Sequence, residues 1–246
     1  MKTSYYKIKT EKKISPLRIA VVADFHNSDP ESVFDACVNA APDAVFIPGD
    51  LFSRVCFEKN DGEYGEYRAA NENGFQLLAK LAGRYPVFFS VGNHEKSVSG
   101  DCGDEIRSTG TEILDDSFVS FGDFLIGGLT SAYGAEPESD GKKRPDIAFL
   151  DAFSRENGVK LLLCHHPEYY PLYVRDRDID VTFSGHAHGG QWRFFGQGIY
   201  SPGQGLFPKY TSGVYENRLV VSRGIGNLCG IPRINNAPET VVVDLC

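Results

Sequence analysis

The sequence predicts an α/β protein built on a largely parallel sheet. Short apolar runs rich in β-branched and aromatic residues recur along the chain, segments of helical apolar spacing fall between the early ones, and the runs stop abruptly at Gly, Asp, Asn or His. A length of 246 residues, with 41% hydrophobic and 24% charged residues, suits one large globular α/β unit. No repeat, low-complexity tract or long linker marks a boundary, so residues 1–246 read as a single domain.

The elements follow in order. Residues 17–23 (LRIAVVA) read as a buried strand. Asp29-Pro30-Glu31 reads as a helix start, with Asp as cap and Pro in the first turn, and the helix should run to about Ala40. Residues 43–48 (DAVFIP) are a second buried strand ending at Gly49-Asp50. Residues 56–67 are polar, acidic and Gly-containing, and read as an exposed insertion; residues 67–81 carry helical spacing. Residues 86–91 (PVFFSV) form a third strand ending at Gly92-Asn93-His94-Glu95. This alternation implies right-handed β-α-β units. Residues 111–130 hold short strand-like pieces split at Asp115-Asp116 and Gly122-Asp123, which suggests hairpins. Residues 133–145 are a polar loop, and its Lys142-Lys143-Arg144 triplet reads as a solvated face. Residues 160–164 and 180–184 are two further strands. Beyond Gly190 the chain is rich in Gly and aromatics, with β-runs at 219–222 and 240–245.

Charge and cysteine usage narrow the function classes. A net charge of −8 disfavours long nucleic acid as a partner. It leaves a small phosphorylated substrate open, because a bound metal ion reverses the local field. None of the six cysteines forms a C-x-x-C pair, so reduced thiols in a cytoplasm are the simple expectation, with Cys164 a core thiol. The N-terminus carries no apolar signal region, and no stretch approaches the roughly 18 apolar residues of a membrane span. A cytoplasmic, unexported protein is expected; peripheral membrane contact stays compatible with this, and oligomeric state stays open.

The chemistry-bearing residues sit at predicted strand ends. Asp24-Phe25-His26 follows the first strand, Asp50 the second and Asn93-His94 the third, while His165-His166 and His186-Ala187-His188 follow two later strands. Ligands of open α/β sheets bind at the carboxyl ends of parallel strands. All six histidines of the chain lie in these segments. Singly, each would read as an ordinary core or surface histidine; together they would be expected to scatter, and they do not. Alternation in an extended segment lets Asp-x-His and His-x-His present two groups to one side. Imidazole with carboxylate suits Mn, Fe or Zn. A pair of ions about 3.5–4 Å apart needs a bridging oxygen, and Asp50, alone after its strand, is the natural bridge. Spacing does not decide between His165 and His166.

Asp24-x-His26, Gly49-Asp50, Gly92-Asn93-His94-Glu95, His165 and Gly185-His186-Ala187-His188 resemble, in order, the five motifs of calcineurin-like metallophosphoesterases. The matched region spans residues 17–191. The longer string Gly185–Gln191 (GHAHGGQ), with Ser222–Gly226 (SRGIG) and Pro238-Glu239-Thr240, is similar to a bacterial subgroup, many of whose members are membrane-associated. The resemblance implies a four-layer α/β/β/α sandwich of two mixed sheets flanked by helices, with two divalent metal ions per chain, Mn foremost and Fe or Zn as alternatives. It implies that Asp24, His26 and His188 hold one ion, that Asn93, His165 and His186 hold the other, and that Asp50 bridges. It makes His94, beside Asn93, the catalytic group that protonates the leaving oxygen or holds the phosphate. Glu95 would orient neighbouring groups from behind the ligands. The implied reaction is hydrolysis of a phosphate mono- or diester by a metal-activated water. The sequence departs from the pattern at Ser53, where many members carry Asp, followed by a familiar Arg54, and in lacking the subgroup's anchor or export signal. The alternatives are a metal-bound scaffold without turnover, a nuclease of the same chemistry, and a hydrolase of a pyrophosphate-linked lipid. Trp192, Phe194, Phe195, Tyr200, Phe207 and Tyr210 read mostly as core and hairpin packing, with one or two at the mouth of the site.

Overall fold

The computed structural model describes residues 1–53, 61–95, 98–134, 143–227 and 231–246. Arg54, Cys56, Lys142, Cys229 and the start of the acidic insertion lie outside the described residues.

Two six-stranded sheets face each other. The first contains β1 (Lys2–Ile8), β2 (Leu17–Val21), β3 (Ala44–Ile47), β4 (Val87–Ser90) and β5 (Glu112–Leu114), with the final strand β16 (Glu239–Leu245) inserted between β1 and β2. β2 to β5 run parallel, and β16 pairs antiparallel with β2 and parallel with β1. The second sheet contains β6 (Ser117–Phe121), β7 (Phe124–Leu129), β8 (Val159–Cys164), β9 (Val181–Ser184), β14 (Gly213–Tyr215) and β15 (Leu219–Val221), in the order β14-β15-β9-β8-β7-β6. Its four central strands are parallel and its two edges antiparallel.

Period-two alternation explains the layering. Ile19, Val21, Phe46 and Phe88 of the first sheet meet Ile126, Leu161, Leu163 and Phe183 of the second, with the Phe46 ring edge-on to Phe183 at 5.2 Å. The alternate residues Ala20, Val45, Ile47 and Phe89 face outward onto α1 (Pro30–Ala40), α3 (Glu72–Ala82) and α4 (Gly100–Ser108) through Val33, Leu78 and Ile106. On the far side Leu162, Cys164 and Val221 pack on α5 (Ile147–Arg155) and the turn Tyr170–Val174. Strands buried on both faces need near-continuous apolar sequence, and β3, β4, β8 and β9 are buried at every position. The result is the four-layer sandwich.

Several local expectations hold. α1 begins at Pro30, with the Asp29 side chain accepting from Glu31 N at 3.3 Å and Ser32 N at 3.1 Å, and ends at Ala40. Gly122-Asp123 is the turn of the β6-β7 hairpin. Cys37, Cys102 and Cys164 are buried free thiols, and the Cys164 thiol donates to His166 O at 3.5 Å.

Other expectations are corrected. Asp115-Asp116 is not a hairpin turn but the crossover from the first sheet to the second, because β5 completes the parallel β4 edge while β6 pairs with β7. Residues 61–67 of the supposed insertion belong to α2 (Asp61–Ala70), which buries Tyr67 on Phe52 and Phe75. The helical spacing over 67–81 therefore belongs to two helices that break at Asn71, whose side chain donates to Tyr67 O and accepts from Ser53 N. β1 has no counterpart among the strands expected from sequence. Its alternation is polar, and only the register with β16 makes it a strand. The aromatic segment is not core. Two short ribbons, β10 (Arg193–Phe194) with β11 (Gln197–Gly198) and β12 (Tyr200–Ser201) with β13 (Gly205–Leu206), turn one residue inward and the next outward. Of the six aromatics only Tyr210 is buried. No helix among the described residues is long and apolar enough to cross a membrane.

Candidate metal centre

The site gathers at the carboxyl ends of β2, β3, β4, β8 and β9. Asp24, Asp50 and Asn93 each lie three residues beyond the last residue of β2, β3 and β4, while His165 directly follows β8 and His186 comes two after β9. The loops stay laced together past the strands: Asp24 N donates to Gly49 O at 3.3 Å, His26 N to Asp50 O at 3.2 Å, and Gly185 N to His165 O at 3.1 Å. Asp24, His26, Asp50, His186 and His188 all adopt left-handed backbone, with φ of 48°, 47°, 54°, 62° and 45°. Such conformations cost energy for a residue with a side chain and cluster where geometry serves function.

Three groupings share walls. Asp24, His26 and His188 bring one potential ligand atom each within 4.8 Å of one another; so do Asp50, His165 and His186; so do His26, Asp50 and His94. His165 Nε2 stands 3.2 Å from Asp50 Oδ2 and 3.1 Å from Asn93 Oδ1, while its Nδ1 faces Pro48 O at 3.2 Å. His26 Nε2 lies 3.7 Å from Asp50 Oδ2, and His188 Nε2 lies 3.8 Å from Asp24 Oδ1. His94 differs from the others. Its backbone N donates to Asp50 Oδ1 at 2.9 Å, its Nε2 is 3.9 Å from Asp50 Oδ2, and its side chain remains 30% exposed to the cavity.

Burial and charge make this a cation site by construction. Asp24 and Asp50 are fully buried, and among the described residues their ion-pair partners are imidazoles alone. Burying ionised carboxylates without a cation is expensive. Among the described residues the buried His26 Nε2 has no hydrogen-bond partner, as an atom reserved for a ligand would. Burial pulls the His26 imidazole down to about 4 and holds His186 well below the ordinary histidine value, so both are neutral lone-pair donors at pH 7. His165 goes the other way: burial lowers it, but the Asp50 charge and hydrogen bond, with Asp24 and Glu95 behind, lift it to about 9. Burial would raise Asp50, yet His165, His26 and His94 hold it well below the carboxylate range. The donor set therefore fits a divalent metal.

Glu95 lies behind Asp50, fully buried. Its carboxylate accepts from Asp50 N at 2.9 Å, Gly92 N at 2.8 Å and Phe52 N at 3.1 Å, tying the β3 and β4 loops together. Burial and the Asp50 charge push it up to about 7. Gly92 is dictated by the close approach, since a Cβ there would fall 2.3 Å from Asp50 Oδ1.

His166 stands beside this centre on the wall of the same cavity, its ring 4.2 Å from that of His186. Its Nε2 meets Ser131 Oγ at 2.7 Å and its Nδ1 meets Glu168 Oε1 at 3.2 Å, and it forms a separate grouping with Glu168 and His186. Several contributors carry no sequence signal. Asn71 takes the Ser53 backbone and hydroxyl, Arg233 Nη2 contacts His188 Nδ1 at 3.2 Å, and Asn236 donates to His188 O at 2.7 Å and Gln191 O at 3.1 Å. They are single polar residues distant in sequence, and only tertiary contact marks them. A cavity of about 430 Å³ opens over Asp50, Asn93, His94, His186 and His188, walled by Tyr133, Lys143, Tyr169, Pro202 and Gly203. Lys143, read from sequence as a solvated cation, stands on this wall.

Comparison with known proteins agrees with the chemistry. A family model described as calcineurin-like phosphoesterase matches residues 17–190. The chain is 28% identical over 252 residues to the uncharacterized protein YpbG of Bacillus subtilis, covering all of this chain and 87% of that one. It is 26% identical over 247 residues to the uncharacterized metallophosphoesterase Cj0846 of Campylobacter jejuni, covering 93% of this chain and 59% of the relative. Among solved structures, TT1561 of Thermus thermophilus aligns with a TM-score of 0.47 at 13% identity, over 70% of this chain and 82% of that one.

Proposed function

The chain belongs to the calcineurin-like phosphoesterase family and is a metal-dependent phosphoester hydrolase; from that premise we propose that it works with two divalent ions on a small phosphate mono- or diester. The supporting observation is the place of Asp50, which belongs at once to the grouping with His165 and His186 and to the grouping with His26 and His94. Asp24, His26 and His188 would hold one ion, Asn93, His165 and His186 the other, and Asp50 both. Bound there, the ions would acidify a water and neutralise phosphoryl oxygens. Mn is the first choice for this mixed imidazole and carboxylate set, with Fe or Zn next.

The chain's own residues supply the rest. His94 reaches the cavity while its backbone is pinned to Asp50, so it can protonate the leaving oxygen without serving as a ligand. Glu95 keeps Asp50 and Gly92 in register through their backbone N–H groups. Ser131 and Glu168 occupy both ring nitrogens of His166, which favours His165 as the ligand. We also place the chain in the bacterial subgroup that carries GHxHGGQ. Gly189, at φ 64°, leaves room for Asn236, whose side chain sits 2.1 Å from where a Cβ would stand, and Gln191 Nε2 donates to Asn227 Oδ1 at 3.0 Å. Residues 1–246 are taken as one catalytic domain acting in the cytoplasm. The deciding experiment is metal analysis of the reconstituted protein, with turnover of a monoester and a diester reporter under Mn, Fe, Zn and Mg. Two ions per chain with turnover of either reporter is expected; one ion at full activity would remove the dinuclear reading.

A further inference from the structure

Among the described residues, two acids line the cavity: Asp50, within the metal centre, and Glu168, outside the proposed ligand set. Glu168 is mostly enclosed, with its side chain 16% exposed. Its Oε2 is buried and has no hydrogen-bond partner among the described residues. Its ion-pair partners there are two imidazoles: His166 Nδ1 lies 3.2 Å from Oε1, and His186 Nε2 lies 3.8 Å from the same oxygen. The carboxylate is also covered from the far side. Gly203, in the turn joining β12 to β13, takes φ 72°, and a Cβ there would stand 1.9 Å from Glu168 Oε1. The turn closes over the carboxylate because residue 203 has no side chain. Enclosing a charge in this way is costly, and among the described residues the two rings are the groups placed to offset it.

An ionised carboxylate accepts and does not donate, so a ring nitrogen that bonds to it must carry the proton. For His166 this puts the proton on Nδ1 and leaves Nε2 to accept from the Ser131 hydroxyl at 2.7 Å. Ser131 is anchored in turn: its Oγ accepts from Tyr133 N at 3.3 Å, and its N donates to Val91 O at 3.0 Å, two residues before Asn93. His166 is therefore clamped at both nitrogens, with its ring 4.7 Å from that of Tyr169 and 4.2 Å from that of His186. For His186 the same rule puts the proton on Nε2 and leaves Nδ1 as the lone pair open to an ion. The 3.8 Å separation is about 0.8 Å beyond an ordinary N–H···O bond, a gap that a small turn of the ring closes.

We propose that Glu168 is a positioning residue, whose carboxylate orients His186, directly and through the clamped His166 ring, for the ion placed among Asn93, His165 and His186. Which ion is affected rests on the two-ion reading above. Metal-ligating histidines ordinarily give their second N–H to a carboxylate, carbonyl or water, and losing that partner typically weakens metal binding about 10–100-fold. Glu168 supplies such a partner on one side of the centre. Glu95 instead holds the backbone N–H groups of Asp50 and Gly92, and Asp50 is the residue both ions would share, so the two carboxylates predict different patterns of loss.

Glu168→Gln keeps the size of the side chain and an oxygen for His166 Nδ1–H, and removes the charge. Calorimetric titration of Mn into the metal-free protein, with bound metal counted on the same samples, should show two sites in the wild type. In the variant one Kd should rise about 10–100-fold while the other stays within about twofold. Circular dichroism and the metal-free melting temperature should not change. Raising Mn in proportion should restore kcat on nitrophenyl and alkyl esters alike, because the defect lies in occupancy and not in protonation of the leaving group. In the zinc-loaded wild type, nitrogen-15 histidine spectra should place the His186 proton on Nε2. Two unchanged Kd values, two Kd values raised alike, or a His186 proton on Nδ1 would overturn the proposal. So would a third Mn bound by the wild type and lost in the variant, since His166, Glu168 and His186 would then form an ion site of their own. A wild type that binds a single Mn would remove the two-ion reading, and the role of Glu168 would then be decided by whether that one Kd moves.

Discussion

The strand-end loops and the aromatic ribbons use one backbone device for opposite ends. In both, non-glycine residues take left-handed φ near 50°: Asp24, His26, Asp50 and His188 in the loops, Phe195 and Phe207 in the ribbons. In the loops the side chains so aimed are polar, buried and converge on one another within hydrogen-bond and ligand distances. In the ribbons they are apolar, exposed and diverge into solvent. Left-handed backbone costs a bulky residue energy in either place. What differs is which surroundings hold the residue there: a two-sheet core with a lattice of backbone hydrogen bonds in one case, and in the other a two-residue turn for Phe195 and a single backbone bond to Ile199 O for Phe207. Left-handed backbone marks a place where side-chain direction matters, and burial separates side chains aimed at one another from side chains aimed at solvent.

Substitutions should separate the two regions sharply. The largest loss is expected for Asp50→Asn, which removes charge from the carboxylate shared by both groupings. Turnover should be abolished and metal occupancy lowered at both proposed positions, because several kcal/mol of charge stabilisation would depend on the ions it is proposed to hold. Metal content and kcat on the same sample decide it, and full occupancy with near-normal kcat would remove Asp50 as the bridge. His94→Asn comes next, with kcat down about 10²–10⁴-fold and both metals kept. The deficit should be larger on an alkyl ester than on a nitrophenyl ester, whose leaving group needs little protonation; metal loss in this variant would make His94 structural. Glu95→Gln should weaken metal binding about 10–100-fold, because an amide cannot accept from Asp50, Gly92 and Phe52 backbone N–H groups with both ends. Isothermal titration with Mn would read it, and an unchanged Kd would show that the β3 and β4 loops hold without it.

The pH dependence of metal binding is a subtler test. In the metal-free protein His165 is raised to about 9, so at pH 7 it is protonated and a metal must displace that proton. Metal affinity should climb as pH rises toward 9, about tenfold per unit for one proton released. The sign for stability is opposite. A histidine raised above its unfolded value stabilises the metal-free fold fully below about 6.5, and that contribution is lost as pH rises through about 9. Thermal melts of the metal-free protein should fall across that window while Kd for Mn tightens; a flat Kd would contradict the His165 assignment. The smallest effect belongs to the ribbons. Phe195→Asn should leave kcat on a soluble reporter within about twofold, as exposed substitutions far from the chemistry usually do. A large loss there would mean that the ribbon shapes the cavity itself.

The site was more legible in the sequence than its supports. Motif residues were visible because a strand end needs a switch from an apolar run to Gly, Asp, Asn or His, and all six histidines collect at such switches. Asn71, Ser131, Glu168, Arg233 and Asn236 were not visible. Asn71, Ser131, Arg233 and Asn236 reach the centre across long sequence gaps through a single hydrogen bond or two, as from Asn236 to His188 O, while Glu168 lies just beyond His166 but carries no motif of its own; no local pattern distinguishes such residues from surface ones.

By itself the sequence determined the α/β class, the start and end of α1, the buried strands of both sheets and the strand-end segments that converge, because local periodicity and capping chemistry act over a few residues. Tertiary structure alone decided the rest. β1 becomes a strand only beside β16, Asp115-Asp116 becomes a crossover only because β5 and β6 find partners in different sheets, and α2 exists as a helix whose Tyr67 must reach Phe52. Exposure of the ribbon aromatics is likewise a tertiary fact: hydrophobic sequence says that a side chain can be buried, and whether a layer of protein is available to bury it depends on the whole fold.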